Sequence, residues 1–468
     1  MDADKIKKKQ SLKVIISESI MVLAVVVTVA ALALVVSGYW VNSDFKVERN
    51  GMLQIASMPT GADVTIDGET SSWLQRTNTS KVLSSGEHNV VLSKDGYDSW
   101  SKTINISEGL LYRIHYPRLF LKDRTPETVL STVGTTFATI SPDNEKLLLI
   151  GNTTEWSFIN LNNDDLKPKK LDVSDYFSDA SVAEGASVGV FAGSIVSADW
   201  DRSSTHVLLQ TVSNGVTEWV LIDTDNIKNS INLSKEFGAN FSSVKILDNS
   251  ASSLLAIQNG NLHKIDVPGR LVSSVLVENI YDFDHYENEI IYSARSGTAN
   301  SGYNVGLIKI GNDDISILET TSEPTKVGIS KFYDEMYIET LIGSQFTLYK
   351  KDDFSKISDF QLTFNPSTMK VGHNGEFITM HHDSQIATLD METNSVREWS
   401  VEGANFDWLD NDMIYTVSDG ELVVYDFDGL NRRELAKNVS NHFPVSITAN
   451  KWLYYFSDDN LTRELIAR

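Results

Sequence analysis

The chain has 468 residues, 41% of them hydrophobic, a formal charge of −23 and no cysteine. Such a length and apolar content predict two or more domains with complete cores, and the missing cysteine excludes small disulfide-stapled domains, thiolate metal sites and thiol nucleophiles. The acidic balance repels phosphate backbones and predicts no nucleic-acid partner.

Taken in order, residues 1–13 hold Lys5, Lys7, Lys8, Lys9 and Lys13, and Val14 to Val36 form a 23-residue apolar run whose ionisable side chain is Glu18. As a helix the run spans roughly 34 Å, enough to cross a hydrocarbon layer of about 30 Å. Lysines before it and Tyr39 and Trp40 after it predict a single-pass anchor with a cytoplasmic N-terminus and everything beyond about Ser37 outside the cell membrane. Ala31-Leu32-Ala33 resembles a signal-peptide cleavage site, but Leu34, Val35 and Val36 continue the apolar run beyond it, which favours a retained anchor. Residues 1–36 carry five lysines against Asp2, Asp4 and Glu18, a net of +2 that leaves −25 for the remainder. Residues 37–50 read as a polar spacer.

Residues 51–116 read as short alternating strands, Met52 to Ala56, Asp63 to Asp67, His88 to Leu92 and Thr103 to Ile106, separated by Pro59, Gly61, Gly68, Gly86 and Gly96. That pattern predicts a small β-sandwich. Pro59-Thr60-Gly61-Ala62 followed by Val64, Ile66, Asp67 and Gly68, and then Leu83, Gly86, His88, Val90, Leu92, Lys94, Gly96 and Tyr97, resembles the PEGA domain. The chain departs from that family at Thr60, where glutamate is usual, and over Asn78 to Val82, where a Thr-Pro pair is common. The resemblance implies an extracytoplasmic accessory module of envelope proteins without catalysis of its own. His88 is expected to be a strand-start residue satisfied by backbone rather than a metal ligand.

Residues 117–468 hold an internal repeat. Each unit pairs a first strand with a strongly apolar second strand, as in Ala138 to Asp143 with Leu147 to Ile150, Val196 to Asp199 with Val207 to Leu209, and Tyr281 to Asp284 with Ile290 to Tyr292. A third strand ends at Asn160, Asp223, Asp266, Lys309, Lys350, Asp390 and Asp426, giving periods of 63, 43, 43, 41, 40 and 36 residues. These fit four-stranded propeller blades, and eight units are expected, with seven blades as the alternative. The last unit lacks a fourth strand, which the segment around Thr125 to Leu130 is expected to supply, closing the ring. The repeat and the Ser141-Pro142-Asp143 turn resemble propellers of the TolB or WD40-like kind. The predicted fold class is therefore all-β: a transmembrane helix, a PEGA-like sandwich and a propeller.

Candidate chemistry is sparse. His373, His381, His382 and Asp383 form the one local histidine cluster, but adjacent strand residues face opposite ways, so it is not expected to hold a metal. The acidic turns at Asp223 to Asn226, Asp410 to Asp412 and Asp426 to Gly429 read as turn residues rather than calcium loops, since Leu430 stands where a ligand would be needed. The sequence shows no sialidase box. No catalytic residue and no cofactor is assigned. Residues 174–193 form the longest insertion in the repeat, and Tyr176, Phe177 and Phe191 are its candidate binding residues. The expected function is noncatalytic binding of an envelope polymer, such as a polysaccharide, or a protein partner. The runner-up is an enzyme acting on cell-wall glycan or peptide through the propeller funnel.

Overall fold

The structure is a computed structural model. It describes residues 18–30, 32–33, 39–41, 47–70, 76–163, 165–178, 182–183, 190–247, 250–297, 302–312, 315–372, 374–402 and 406–468. Residues 18–30 and 32–33 are helical, and residues 14–17, 31 and 34–36 of the apolar run lie outside the described ones. Among the described residues no helix is long and apolar enough to cross a membrane. The chain divides into two units, Met1–Asp123 with Ala467–Arg468, and Arg124–Ile466.

The first unit contains a sandwich of two sheets. One orders the strands Thr79–Leu83, Gly51–Ile55 and Leu111–Ile114, the last pair parallel. The other orders Glu69–Thr70, Asp63–Ile66, Gly86–Ser93 and Trp100–Ile106. Alternate residues face inward, so Leu53, Ile55, Val64, Val90, Leu92, Trp100, Ile104 and Ile106 make the core. Asp67-Gly68 turns the hairpin with positive φ at both residues, the backbone that follows the twist of paired strands. Gly51 is needed for contact rather than for φ, because a Cβ there would come within 2.5 Å of Ile106 Cγ2 and the Ser107 carbonyl. Tyr97 is buried and bridges to Leu121.

Among its described residues the second unit holds eight four-stranded antiparallel sheets. Seven are built from consecutive strands, beginning at Thr135–Ile140, Ser194–Trp200, Phe241–Ile246, Ile280–Tyr286, Lys326–Phe332, Thr368–Val371 and Phe406–Trp408. The eighth orders Glu127–Ser131, Asn460–Leu465, Trp452–Ser457 and Ser446–Thr448. Its outer strand comes from the far end of the unit's sequence. Glu127 pairs with Arg463 and Thr128 with Thr462, and Arg463 Nε donates to Glu127 Oε2 at 2.8 Å. The segment expected to complete the last unit does so, over Glu127–Ser131.

The second strands explain the unbroken apolar runs of the repeat. Val207 and Leu209 pack into one cluster with Trp156 and Leu148, while Leu208 between them packs into the next with Leu254 and Ala256. Ile290 and Tyr292 likewise join one cluster and Ile291 the next. A sheet sandwiched between two neighbours buries both faces, so alternation gives way to continuous hydrophobicity. Asn214-Gly215, Asn259-Gly260 and Asp419-Gly420 close hairpins with paired positive φ, as the twist of two-residue turns requires.

Candidate functional site

In the second unit the first strands of seven sheets, and the residues that lead into the inner strand of the eighth, meet around one cavity of about 790 Å³, lined from Ala138 to Asn144 round to Pro444 and Val445. A cavity touched by the leading strand or its flank in each sheet is what a radial arrangement produces, and it is the axis of a propeller-like fold. Four aspartates line it, Asp199, Asp282, Asp284 and Asp407, with three lysines, Lys245, Lys326 and Lys370.

Topology puts charge there. Each leading strand has a ladder partner on one side only, so the N–H groups of its other edge need acceptors. Asp282 Oδ2 accepts from Val327 N at 3.0 Å and Asp284 Oδ2 from Ile329 N at 3.4 Å, which stitches neighbouring sheets together. Lys245 Nζ donates to the Phe283 carbonyl at 2.8 Å and to Asp284 Oδ1 at 3.2 Å, and sits over the Phe283 ring. Lys370 lies 3.5 Å from Asp407 Oδ1, which also accepts from Trp408 N at 2.9 Å. Burial raises the Asp282 carboxyl, against the Val327 amide and the attraction of Lys245 and Lys326. Asp199 is open to the cavity yet walled in by protein; that confinement raises its carboxyl, while Lys245 and Lys370 pull it back. The rings at the wall serve packing: Trp200 Nε1 donates to Thr139 Oγ1 at 3.0 Å, and Trp408 stacks on Phe377. Tyr415, half-buried and enclosed by protein, has its hydroxyl pushed up by desolvation and accepts from Val445 N at 3.3 Å.

Behind the wall lies Glu339, fully buried. Ser330 Oγ donates to its Oε1, while Oε2 has no hydrogen-bond partner among the described residues. Burial pushes its carboxyl up to about 8, and the charge of Asp284 adds to the shift. Gly328 makes the room, because a Cβ there would lie 2.8 Å from Glu339 Oε2 and 3.0 Å from Met369 Cε.

The insertion residues are placed otherwise than expected. Phe177 and Phe191 are each 4% exposed and pack with Trp156 in a triangle of ring centroids 5.0 to 5.5 Å apart. They plug the layer between two sheets, so these two rings are core and not the partner-facing anchors the sequence suggested. Tyr176 packs against the same cluster while staying partly open. Residues 179–181 and 184–189 of the insertion lie outside the described ones.

His381 is half-buried, its ring 4.7 Å from that of Phe406, and burial lowers its pKa. His382 is exposed beside Asp383, and His373 lies outside the described residues. The acidic turns use their carboxylates on backbone: Asp223 Oδ1 accepts from Asp225 N and Asn226 N, Asp410 Oδ1 from Asp412 N and Met413 N, and Asp428 Oδ1 from Leu430 N. A buried version joins Asp201 to Thr205 N, His206 N and the His206 ring. Burial alone would raise Asp201, but these hydrogen bonds hold it at about 2.

In the first unit His88 Nδ1 lies 2.6 Å from Asp67 Oδ2, and Nε2 lies 2.8 Å from the Ser84 carbonyl. Both partners are acceptors, so a ring that satisfies both carries two protons. Burial works against that charge, yet Asp67 and Ser84 raise the His88 pKa overall. The two motif halves of the sequence thus meet through Asp67 and His88. Residues 50–117 match the PEGA domain. The PEGA domain is therefore the sandwich just described, with Gly61 and Gly68, both at positive φ, on either side of its strand Asp63–Ile66.

No protein of curated function matches the chain. Among solved structures it is similar to Kluyveromyces lactis Hsv2, at 9% identity and a TM-score of 0.44 over 65% of this chain and 98% of that one. It is similar also to the β-propeller domain of Myceliophteria thermophila Cps50 (Swd1), at 10% identity and 0.41 over 74% and 100%. A third is an oligogalacturonate lyase in complex with manganese, at 12% identity and 0.39 over 57% and 88%. Likeness at this level adds nothing to what the sheet order already says.

The cavity residues escape a reading of the sequence, although a signal exists. An acid recurs in the leading strands as Asp199, Asp282 and Asp407.

Proposed function

We propose that the chain is a noncatalytic binding protein, held on a membrane by residues 14–36 with its later domains outside the cell, whose eight-bladed propeller takes its ligand in the axial cavity. The observation that carries this reading is the cavity itself: about 790 Å³, within the range of ligand sites, and lined by four aspartates and three lysines. The apolar run and its lysine flank support the anchor, and an envelope polymer or envelope protein is the partner that such a location supplies. Burial of Phe177 and Phe191 favours the cavity over the insertion as the binding site.

The cysteine-free chain makes the test direct. With Asp352→Cys, whose parent side chain is 80% exposed, an impermeant maleimide should label intact cells; labelling only after lysis sinks the topology. With Thr368→Cys in the cavity, an envelope fraction should slow labelling, while Asp175→Cys in the insertion stays unprotected. Protection of Asp175→Cys alone would return the site to the insertion.

A second reading, an enzyme acting on glycan or peptide in the same cavity, is favoured by one observation, the gathering of four aspartates on its wall. Release of reducing ends or amines from isolated wall material, lost in Asp199→Asn, would establish it. Turnover unchanged in that variant would dismiss Asp199 as its acid.

A further inference from the structure

Five of the seven charged groups on the cavity wall are committed to protein: Asp282 and Asp284 to backbone amides of the next sheet, Lys245 to Asp284, and Lys370 to Asp407. Two are left. Asp199 has no hydrogen bond or ion pair among the described residues, only the distant attraction of Lys245 and Lys370. Lys326 attracts Asp282 without an ion pair or hydrogen bond to it. The two stand on separate stretches of the wall, with the leading strands 241–246 and 280–286 between them in the ring. One negative and one positive group thus stand in a single cavity without a protein partner among the described residues.

Building on the axial-cavity reading, we infer that the ligand is a zwitterion bearing one ammonium and one carboxylate, a free amino acid or a short peptide with free ends. Its ammonium donates to Asp199 and its carboxylate accepts from Lys326. A simple anion would answer Lys326 and leave Asp199 bare, and a simple cation would do the reverse. A group without a partner in a confined site costs more than one in water, so a ligand that answers both gains twice. One lysine suits a single carboxylate charge better than a doubly charged phosphate. A quaternary ammonium would want free aromatic faces, whereas Trp200 and Trp408 are engaged in packing between sheets. Confinement that raises the Asp199 carboxyl is relieved by an ammonium at hydrogen-bond distance.

Equilibrium dialysis of the full chain in detergent, read by mass spectrometry, tests this with two probes: an equimolar mixture of amino acids and an equimolar mixture of dipeptides. Each is used with free ends, N-acetylated and C-amidated. Free-ended members should bind at least about tenfold more tightly than either capped form. Asp199→Asn should remove the penalty for acetylation, and Lys326→Gln the penalty for amidation, with melting temperatures within a few degrees of the parent. Whichever mixture is retained identifies the source. Retention of neither mixture, or equal retention of free and capped members, overturns the inference. If the envelope fraction still protects Thr368→Cys in that event, the axial cavity remains the binding site and only the ligand class falls.

Discussion

The PEGA domain and the propeller unit solve the same problem, burying β-sheets, and differ in where they can keep a charge. In the sandwich the inward residues meet the opposite sheet, so the interior holds Leu53, Val64, Trp100 and their neighbours, and the buried His88 ring is held by the exposed Asp67 of the hairpin turn. In the radial unit the apolar layers lie between sheets, and the leading strands turn an unpaired edge to the axis. Asp282 and Asp284 answer that edge. An interior lined with charge is thus a consequence of how sheets are arranged, before any ligand selects it.

The largest effect expected from breaking this comparison is loss of the closing strand. A chain lacking residues 127–131 gives up the ladder to Asn460–Leu465 and the packing of Val129 and Leu130, about 5 kcal/mol in all. Scanning calorimetry should show the propeller transition collapse while the PEGA transition stays; an unchanged propeller transition would show that Glu127–Ser131 is not the latch. Next comes Phe177→Ser with Tyr176→Ser, expected to cost about 3 to 5 kcal/mol because the Phe177 ring fills the triangle with Trp156 and Phe191. Denaturant midpoints unmoved by the pair would return those rings to the surface.

Glu339→Gln sharpens the comparison through pH. The folded-state pKa lies above the unfolded value, so the contribution is fully present below about 4.5 and is lost as pH rises towards about 8. Glutamine cannot ionise, so the variant should match the parent at pH 4 and exceed it by several kcal/mol at pH 8. Parallel stability curves for the two would mean that Glu339 is ionised in the fold. His88→Gln should have the smallest effect and concern the PEGA domain alone. The His88 pKa is raised, so its contribution is complete below the unfolded value near 6.5 and fades as pH rises through the folded one. Parent and variant melting points should therefore converge at alkaline pH; a gap that widens there would contradict the doubly protonated ring.

Much of this fold is legible in the chain. Apolar second strands such as Leu147 to Ile150 announce sheets buried on both faces, and Glu127–Ser131 is recognisable because the last unit is short of one strand. The cavity is less legible because of register. Bulges interrupt the leading strands between Ile195 and Ser197, Phe241 and Ser243, and Ile280 and Asp282. Each bulge reverses the side on which later residues fall, so alternation counted from the strand start sends Asp199 and Asp282 to the wrong face. Glu339 is hidden for another reason: its burial depends on the missing side chain of Gly328, a partner across the ladder that no local pattern reveals. Tyr176, Phe177 and Phe191 mislead because an aromatic cluster in an insertion has the same composition whether it plugs a layer or offers a surface.

The seam between Glu127 and Arg463 joins residues 336 positions apart. A ribosome must therefore deliver nearly the whole propeller before its first strand has anything to pair with. Until then the strand Glu127–Ser131 and the edge it will cover are both open, and contacts so distant in sequence form slowly. The nascent ring is vulnerable to pairing with a neighbour's open edge for the whole of that interval. Holding the growing chain apart from its siblings becomes a requirement of biosynthesis, set by the place of one five-residue strand.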